Sequence, residues 1–278
     1  MDVMKAIEFG QLVNDTYQID PSDLTNSAGK VLSAGGRDYT VVTTIYANDL
    51  ATDMNPARAN DEVSIGVICQ ANQAGDVVIA IRGTEGILEW IHDAEFLQVP
   101  CPFLVGAGET EDGFTDMYNS LTTGAAPNSP TVASALANLP FPRPVSTVTV
   151  CGHSLGGALA TLLTLDLAAN TVFRNPAVYT YGSPRTGNSL FASTYNQVVK
   201  DSRRVANRLD IVTTLPPPPD YQHVAEPYEL NPVRLLPLPP QVLVAFNPYC
   251  EHSLATYIYL LSLQSGGQVI PLEPACQP

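Results

Sequence analysis

The spacing of hydrophobic and polar positions changes along the chain, and it predicts alternating strands and helices. Short apolar runs rich in β-branched residues predict strands at 41–46, 63–70, 77–81, 145–151, 177–181 and 203–208. Longer segments without an interior proline predict helices at 3–19, 113–123, 130–138, 155–169, 189–198 and 253–263. Proline and glycine predict loops at 100–113, 216–219 and 237–240. We therefore expect an α/β fold with a mostly parallel sheet and helices on both faces.

The composition indicates a folded globular chain and narrows the classes of partner. Hydrophobic residues make up 45% of the 278 residues and charged residues 14%, which supplies enough apolar surface for a large core. The net charge of −14 argues against nucleic acids and anionic membrane surfaces as partners. No apolar stretch reaches 18 residues, so we expect no transmembrane segment. The composition does not distinguish a monomer from an oligomer.

The first residues and the cysteines bear on the compartment. The segment 1–6 lacks the charged and apolar regions of a secretory signal, so we expect a protein that is cytoplasmic by default or secreted with its signal removed. Five cysteines without CxxC spacing disfavour a zinc site or a disulfide scaffold. We expect buried free thiols. Pairing of Cys250 with Cys276 is the alternative.

A Gly-x-Ser-x-Gly motif holds the strongest candidate for chemistry, Ser154, between Gly152 and Gly156. The motif alone is weak evidence, because chance would supply about 0.1 matches in a chain of this length. Here, however, it lies between a predicted strand and a predicted helix, the strand–turn–helix setting of a nucleophile elbow. The two glycines relieve the clashes of such a sharp turn. We therefore expect Ser154 to be the nucleophile of a serine ester hydrolase.

A serine nucleophile needs a histidine base, and the chain has four histidines. His92 comes too early for the Ser–Asp–His order of this fold, and His153 is expected to point away from Ser154. Both remaining histidines follow the serine. We favour His252, which precedes the last predicted helix, over His223.

The base needs a carboxylate that orients it, and three aspartates are candidates. Asp210 follows a predicted strand, where a parallel sheet presents its functional residues. Asp201 precedes that strand and would lie at the wrong edge. Asp220 is the alternative to Asp210.

Several blocks together resemble the fungal-type triacylglycerol lipases, the lipase class 3 family, over nearly the whole chain. The first block is Val-Ile-Ala-Ile-Arg-Gly-Thr at 78–84, followed by Trp90 and Asp93. The next are Gly-His-Ser-Leu-Gly-Gly-Ala at 152–158 and Tyr-Gly-Ser-Pro-Arg-Thr-Gly-Asn at 181–188. The last are 210–212, 215–217 and 221–224, and His252 ahead of Tyr257. The resemblance implies one α/β-hydrolase domain over residues 1–278.

The same resemblance implies roles for individual residues. It makes Ser154, Asp210 and His252 the triad and treats His223 as structural. It also implies an oxyanion hole formed by the backbone N–H and hydroxyl of Thr84 and by the N–H of Leu155. Such a hydrolase requires no metal and no organic cofactor.

An amphipathic segment after Thr84 resembles the lid of these lipases, which we expect over about 85–97. On a helix, its apolar residues fall within an arc of about 160°. These residues, which we expect to contact substrate, are Ile87, Leu88, Trp90 and Ile91. An immobile surface helix packed on the core is the alternative.

The expected function is therefore a lipase that cleaves acylglycerol esters through an acyl-enzyme, acting on its substrate at a lipid–water interface. A feruloyl esterase or another carboxylesterase for soluble substrates on the same scaffold is the main alternative. A catalytically dead binding module and a peptidase are further alternatives, the first of which would require a broken triad.

Overall fold

The computed structural model describes residues 1–48, 62–84, 95–126, 128–232 and 247–276. Within these ranges the strands are β1 (Val31–Ala34), β2 (Arg37–Asn48), β3 (Glu62–Ala71), β4 (Asp76–Ile81), β5 (Gln98–Pro100), β6 (Glu109–Glu111), β7 (Thr147–His153), β8 (Ala177–Tyr181), β9 (Asp201–Asn207) and β10 (Pro227–Leu230). The α-helices are α1 (Val3–Thr16), α2 (Asp112–Asn119), α3 (Val132–Ala135), α4 (Leu155–Asn170), α5 (Ser189–Val198), α6 (Pro248–His252) and α7 (Leu254–Ser265). Short 3₁₀ turns include Ile211–Thr214 and Pro274–Cys276.

Eight of these strands form one mixed sheet in the order β1-β2-β3-β4-β7-β8-β9-β10. Within this sheet the pairs β4–β7, β7–β8, β8–β9 and β9–β10 are parallel, whereas β1–β2, β2–β3 and β3–β4 are antiparallel. Strands β5 and β6 form a separate antiparallel pair. The carboxyl ends of β4, β7 and β9 therefore lie at one edge, where parallel sheets present functional residues.

The sheet is covered on both faces, and strand β4 shows how. Its side chains alternate, so Ile79 and Ile81 belong to one buried cluster and Val78 and Ala80 to the other. The first cluster includes residues of α2, α4 and α5, and the second includes residues of α1 and α7. This is the layering that the alternating pattern predicts, a mostly parallel sheet with helices on both faces. No helix in the described ranges is long and apolar enough to cross a membrane.

Most of the predicted elements are confirmed with shifts of a few residues, and β8 and α5 match their predictions at both ends. The prediction of a loop over 100–113 is wrong in part, because β6 lies there and pairs with β5. Strands β1 and β10 are further differences, since neither was predicted. Both are four-residue strands at the two edges of the sheet, so their short pattern carries little signal.

The prediction of free thiols is wrong for two of the five cysteines. Cys250 and Cys276 form a disulfide, with their Cα atoms 5.4 Å apart. The segment after α7 returns to α6 and brings the two residues together, which a separation of 26 residues does not reveal. Cys69, Cys101 and Cys151 are buried and free, as expected.

Candidate active site

Ser154 lies on a sharp turn between β7 and α4. Its backbone has φ 60° and ψ −130°, a conformation that costs a non-glycine residue about 1–3 kcal/mol. Close backbone contacts hold the turn: a methyl group on Gly152 would collide with the Gly156 carbonyl oxygen, and one on Gly156 with the carbonyl oxygens of Ile81 and Arg82. The predicted strand–turn–helix elbow is therefore present, and glycine is required at both flanking positions.

The end of β4 lies directly beside this turn. Strand β4 pairs in parallel with β7, with Ile81 opposite Gly152, and the Gly83 backbone packs against the Cβ atom of Ser154. Thr84 follows and is buried. Leu155 is the first residue of α4, so its N–H has no acceptor within the helix. Thr84 and Leu155 therefore flank the serine as the expected oxyanion donors would.

Asp210 and His252 form a buried pair. The Asp210 Oδ2 atom lies 2.8 Å from His252 Nδ1 and accepts a hydrogen bond of 2.6 Å from the Tyr257 hydroxyl. The other carboxylate oxygen accepts the Val212 N–H over 2.9 Å. Since one ring nitrogen of His252 is held by the carboxylate, the other, Nε2, is left for proton transfer.

Three buried polar atoms in this region have no hydrogen-bond partner among the described residues. They are Ser154 Oγ, Thr84 Oγ1 and His252 Nε2. Buried polar atoms are normally paired, and a catalytic role is one of the reasons for which a protein leaves such an atom unpaired. Thr84 and His252 line a cavity of about 280 Å³. The candidate oxyanion donor and the candidate base therefore border space for a ligand.

The other predicted candidates have different surroundings. His223 Nε2 bonds the Thr213 carbonyl oxygen over 2.7 Å, and burial, helped by the nearby Arg204, lowers the pKa of His223 to about 3. This neutral histidine fits the structural role that the resemblance implies. Asp220 is exposed, and its carbonyl oxygen accepts a bond from Gln98. Asp201 begins β9, at the end of the strand opposite Asp210.

Several predicted residues lie outside the described ranges. His92 and the expected lid residues are among them. Those lid residues are Ile87, Leu88, Trp90 and Ile91.

A group of residues that the sequence did not indicate forms hydrogen bonds around the candidate triad. Tyr257 bonds Asp210, and His153 bonds the His252 carbonyl oxygen over 2.7 Å. Tyr17 lies 2.6 Å from His153, through its hydroxyl and Nδ1. The motif drew attention to His153, but no pattern in the sequence links it to a tyrosine 136 positions earlier.

Comparison with known families gives a match at the same residues. The family model described as lipase (class 3) matches residues 78–219, just over half of the chain. The matched segment contains the end of β4, the elbow and Asp210, while His252 follows it.

Individual relatives carry related descriptions. A secreted mono- and diacylglycerol lipase of Fusarium solani is 30% identical over 161 residues, which are 58% of this chain and 45% of that protein. A phospholipase A1 of Oryza sativa subsp. japonica is 27% identical over an alignment covering 95% of this chain and 76% of that protein. The Fusarium alignment thus spans about half of that relative's length.

A solved structure shares the fold. The Rhizomucor miehei lipase–propeptide complex superposes with a TM-score of 0.60 at 25% identity. The superposition covers 81% of this chain and 67% of that one.

Proposed function

The chain belongs to the class 3 lipase family, and we propose that it is a serine ester hydrolase that cleaves acylglycerols through an acyl-enzyme on Ser154. One observation carries the proposal most strongly. The Ser154 hydroxyl is buried on a strained turn without a partner among the described residues, in the same region as a histidine held by a carboxylate. Strain of this kind persists where the surrounding structure holds a residue for a task.

In the first step, Ser154 Oγ attacks the ester carbonyl carbon. His252 Nε2 takes the serine proton, and Asp210 holds the ring and stabilises its charged form. The proton then passes from His252 to the leaving alcohol oxygen as the carbon–oxygen bond breaks. The buried bonds to Asp210 support this assignment, because they fix which nitrogen of His252 faces the reaction.

The negative charge that develops on the carbonyl oxygen needs fixed donors. Thr84, with its N–H and hydroxyl, and the Leu155 N–H fill this role. The N-terminus of α4 adds a favourable dipole at the same point. The support is that Thr84 Oγ1 is buried without a partner among the described residues and the backbone of Gly83 packs on Ser154.

In the second step, water replaces the alcohol. His252 takes a proton from the water as its oxygen attacks the acyl carbon, and the carboxylic acid leaves as the proton returns to Ser154 Oγ.

The substrate class follows from the relatives. The relatives include a mono- and diacylglycerol lipase and a phospholipase A1, which supports an acylglycerol substrate for this chain. The experiment is hydrolysis of emulsified mono-, di- and triacylglycerols, a phospholipid and methyl ferulate, measured side by side for the native protein and Ser154→Ala. We expect acylglycerols to be cleaved and the variant to be inactive with an unchanged circular dichroism spectrum. Full activity of the variant would overturn the mechanism, and cleavage of methyl ferulate alone would overturn the substrate class.

A further inference from the structure

A chain of hydrogen bonds joins the two sides of the proposed active site. The Gly83 N–H donates to the Tyr17 hydroxyl oxygen over 2.8 Å, and that hydroxyl lies 2.6 Å from His153 Nδ1. On the far side of the ring, His153 Nε2 lies 2.7 Å from the His252 carbonyl oxygen. This series of hydrogen bonds therefore begins one residue before Thr84 and ends at His252.

The His252 carbonyl oxygen at the end of this series of hydrogen bonds determines which atom donates in each of them. A carbonyl oxygen can only accept, so His153 Nε2 carries a hydrogen and donates it to His252. Burial lowers the pKa of His153 well below its usual value, and the neighbouring His252 lowers it further, so the ring is neutral. Its Nδ1 then has a free lone pair that accepts the Tyr17 O–H. Tyr17 thus donates to His153 while accepting from Gly83.

These bonds connect parts of the fold that are distant in sequence. Tyr17 follows α1, Gly83 follows β4, His153 ends β7 and His252 ends α6. The rings of His153 and His252 also lie against each other, with centroids 4.7 Å apart. Because His153 is neutral, it adds no like charge beside His252 when that residue takes up the serine proton.

We propose that Tyr17 and His153 are positioning residues that align Thr84 and His252 with Ser154. The proposal rests on the proposed function, since it concerns the rate of that reaction. Both residues line the cavity beside Thr84 and His252, but their polar atoms are occupied by Gly83, by each other and by the His252 carbonyl oxygen. They act on the transition state by fixing the backbone that carries the oxyanion donor and the backbone that carries the base.

The first test is Tyr17→Phe, which keeps the aromatic ring and removes only the hydroxyl. The Gly83 N–H and His153 Nδ1 then lose their partner, and we expect kcat to fall by about 10- to 100-fold. KM for a soluble ester stays within about twofold, because substrate contacts remain. Rates are expressed per active site titrated with a fluorophosphonate, so that misfolded protein does not count. Tyr228→Phe, which loses a comparable bond to Gln264, is the matched control and keeps the native kcat.

A second pair of variants tests His153. His153→Gln keeps a neutral donor for the His252 carbonyl oxygen, whereas His153→Leu does not, so we expect kcat per titrated site to be higher for the glutamine variant. A native kcat for Tyr17→Phe, or equal kcat for the two His153 variants, overturns the proposal. If Tyr17→Phe does not fold, the glutamine–leucine pair decides alone.

Labelling at Ser154 separates the positioning role of Tyr17 and His153 from the serine mechanism itself. If Ser154→Ala is still labelled and active, the serine mechanism itself is wrong. If the native protein is labelled at Ser154 but the Tyr17 and His153 variants behave as the native protein does, only the positioning role is lost.

Discussion

On the acid side of the proposed active site the Asp210 carboxylate accepts three hydrogen bonds, whereas on the nucleophile side Ser154 Oγ and Thr84 Oγ1 make none with the described residues. Both sides are almost fully buried, with Asp210 and Ser154 each 1% exposed. The difference is therefore one of bonding rather than of burial.

This contrast separates groups that must stay fixed from groups that must meet a substrate. A carboxylate that orients a base works through rigidity, so its bonds are complete in the free protein. A nucleophile and an oxyanion donor work on a partner that arrives with the substrate, so they are held by backbone geometry alone. Substitutions at four positions test this contrast, in order of decreasing effect on kcat.

The largest effect among the four is expected for Asp210→Asn, which removes the charge that orients His252. We expect kcat to fall by about 10⁴-fold, because the amide favours the wrong tautomer of the ring. The measurement is steady-state hydrolysis of a soluble ester. Asp220→Asn, at an exposed aspartate, is the control and retains native rates. A loss below tenfold for Asp210→Asn would contradict the account.

On the nucleophile side, Thr84→Val removes one donor without changing the side-chain shape. We expect kcat to fall by about 10²- to 10³-fold with little change in KM, as for loss of an oxyanion donor. Thr84→Ser retains the hydroxyl and should stay close to the native kcat. Equal rates for the valine and serine variants would assign Thr84 a packing role instead.

A smaller effect is expected for Tyr257→Phe, which removes one of the three bonds to Asp210. The Tyr257 hydroxyl also accepts the Asn207 N–H over 3.0 Å, so the variant loses about 1–3 kcal/mol of stability. We expect kcat to fall about tenfold, since the His252 bond remains. Urea unfolding and ester hydrolysis measure the two losses. Tyr195→Phe, equally buried but bonded to Ser202, should lose stability without losing kcat per titrated site.

Glu111 is a buried carboxylate without a cationic partner among the described residues, and it sharpens the contrast with Asp210. Burial raises the pKa of Glu111 from 4.5 to about 7. Between these pH values the folded state therefore keeps a proton on Glu111 that the unfolded state has released. The stability that the protonated Glu111 contributes is fully present below pH 4.5 and is lost as pH rises through about 7.

Relative to Glu111→Gln, the native protein should therefore lose about 3 kcal/mol of unfolding free energy between pH 4 and pH 8. Urea unfolding at both pH values measures this, and kcat should not change. Parallel pH dependence of the two proteins would show that Glu111 ionises normally.

The sequence predicted the elements at the elbow because the signals there are local. Gly152, Ser154 and Gly156 lie within five positions, directly between the predicted strand and the predicted helix. The positions of Asp210 after a strand and His252 before a helix were also readable from local pattern. The structure brings those two side chains to 2.8 Å of each other.

The supporting bonds were not predictable in this way, because each joins distant segments. Tyr17 reaches His153 across 136 positions, Tyr257 reaches Asp210 across 47, and Cys250 pairs with Cys276 across 26. Hydrophobic periodicity specifies which face of a helix is buried but not which polar atom it meets. These contacts depend on how α1, α6 and α7 pack near the carboxyl ends of the parallel strands.

The central claim is that Ser154 is the nucleophile, and covalent labelling tests it most directly. The native protein is treated with a fluorophosphonate, and the modified residue is located by mass spectrometry of its peptides. We expect one phosphonate per chain on Ser154, loss of ester hydrolysis in proportion to labelling, and no labelling of Ser154→Ala. A stoichiometric adduct on another residue, or full activity in a protein labelled at Ser154, would contradict it.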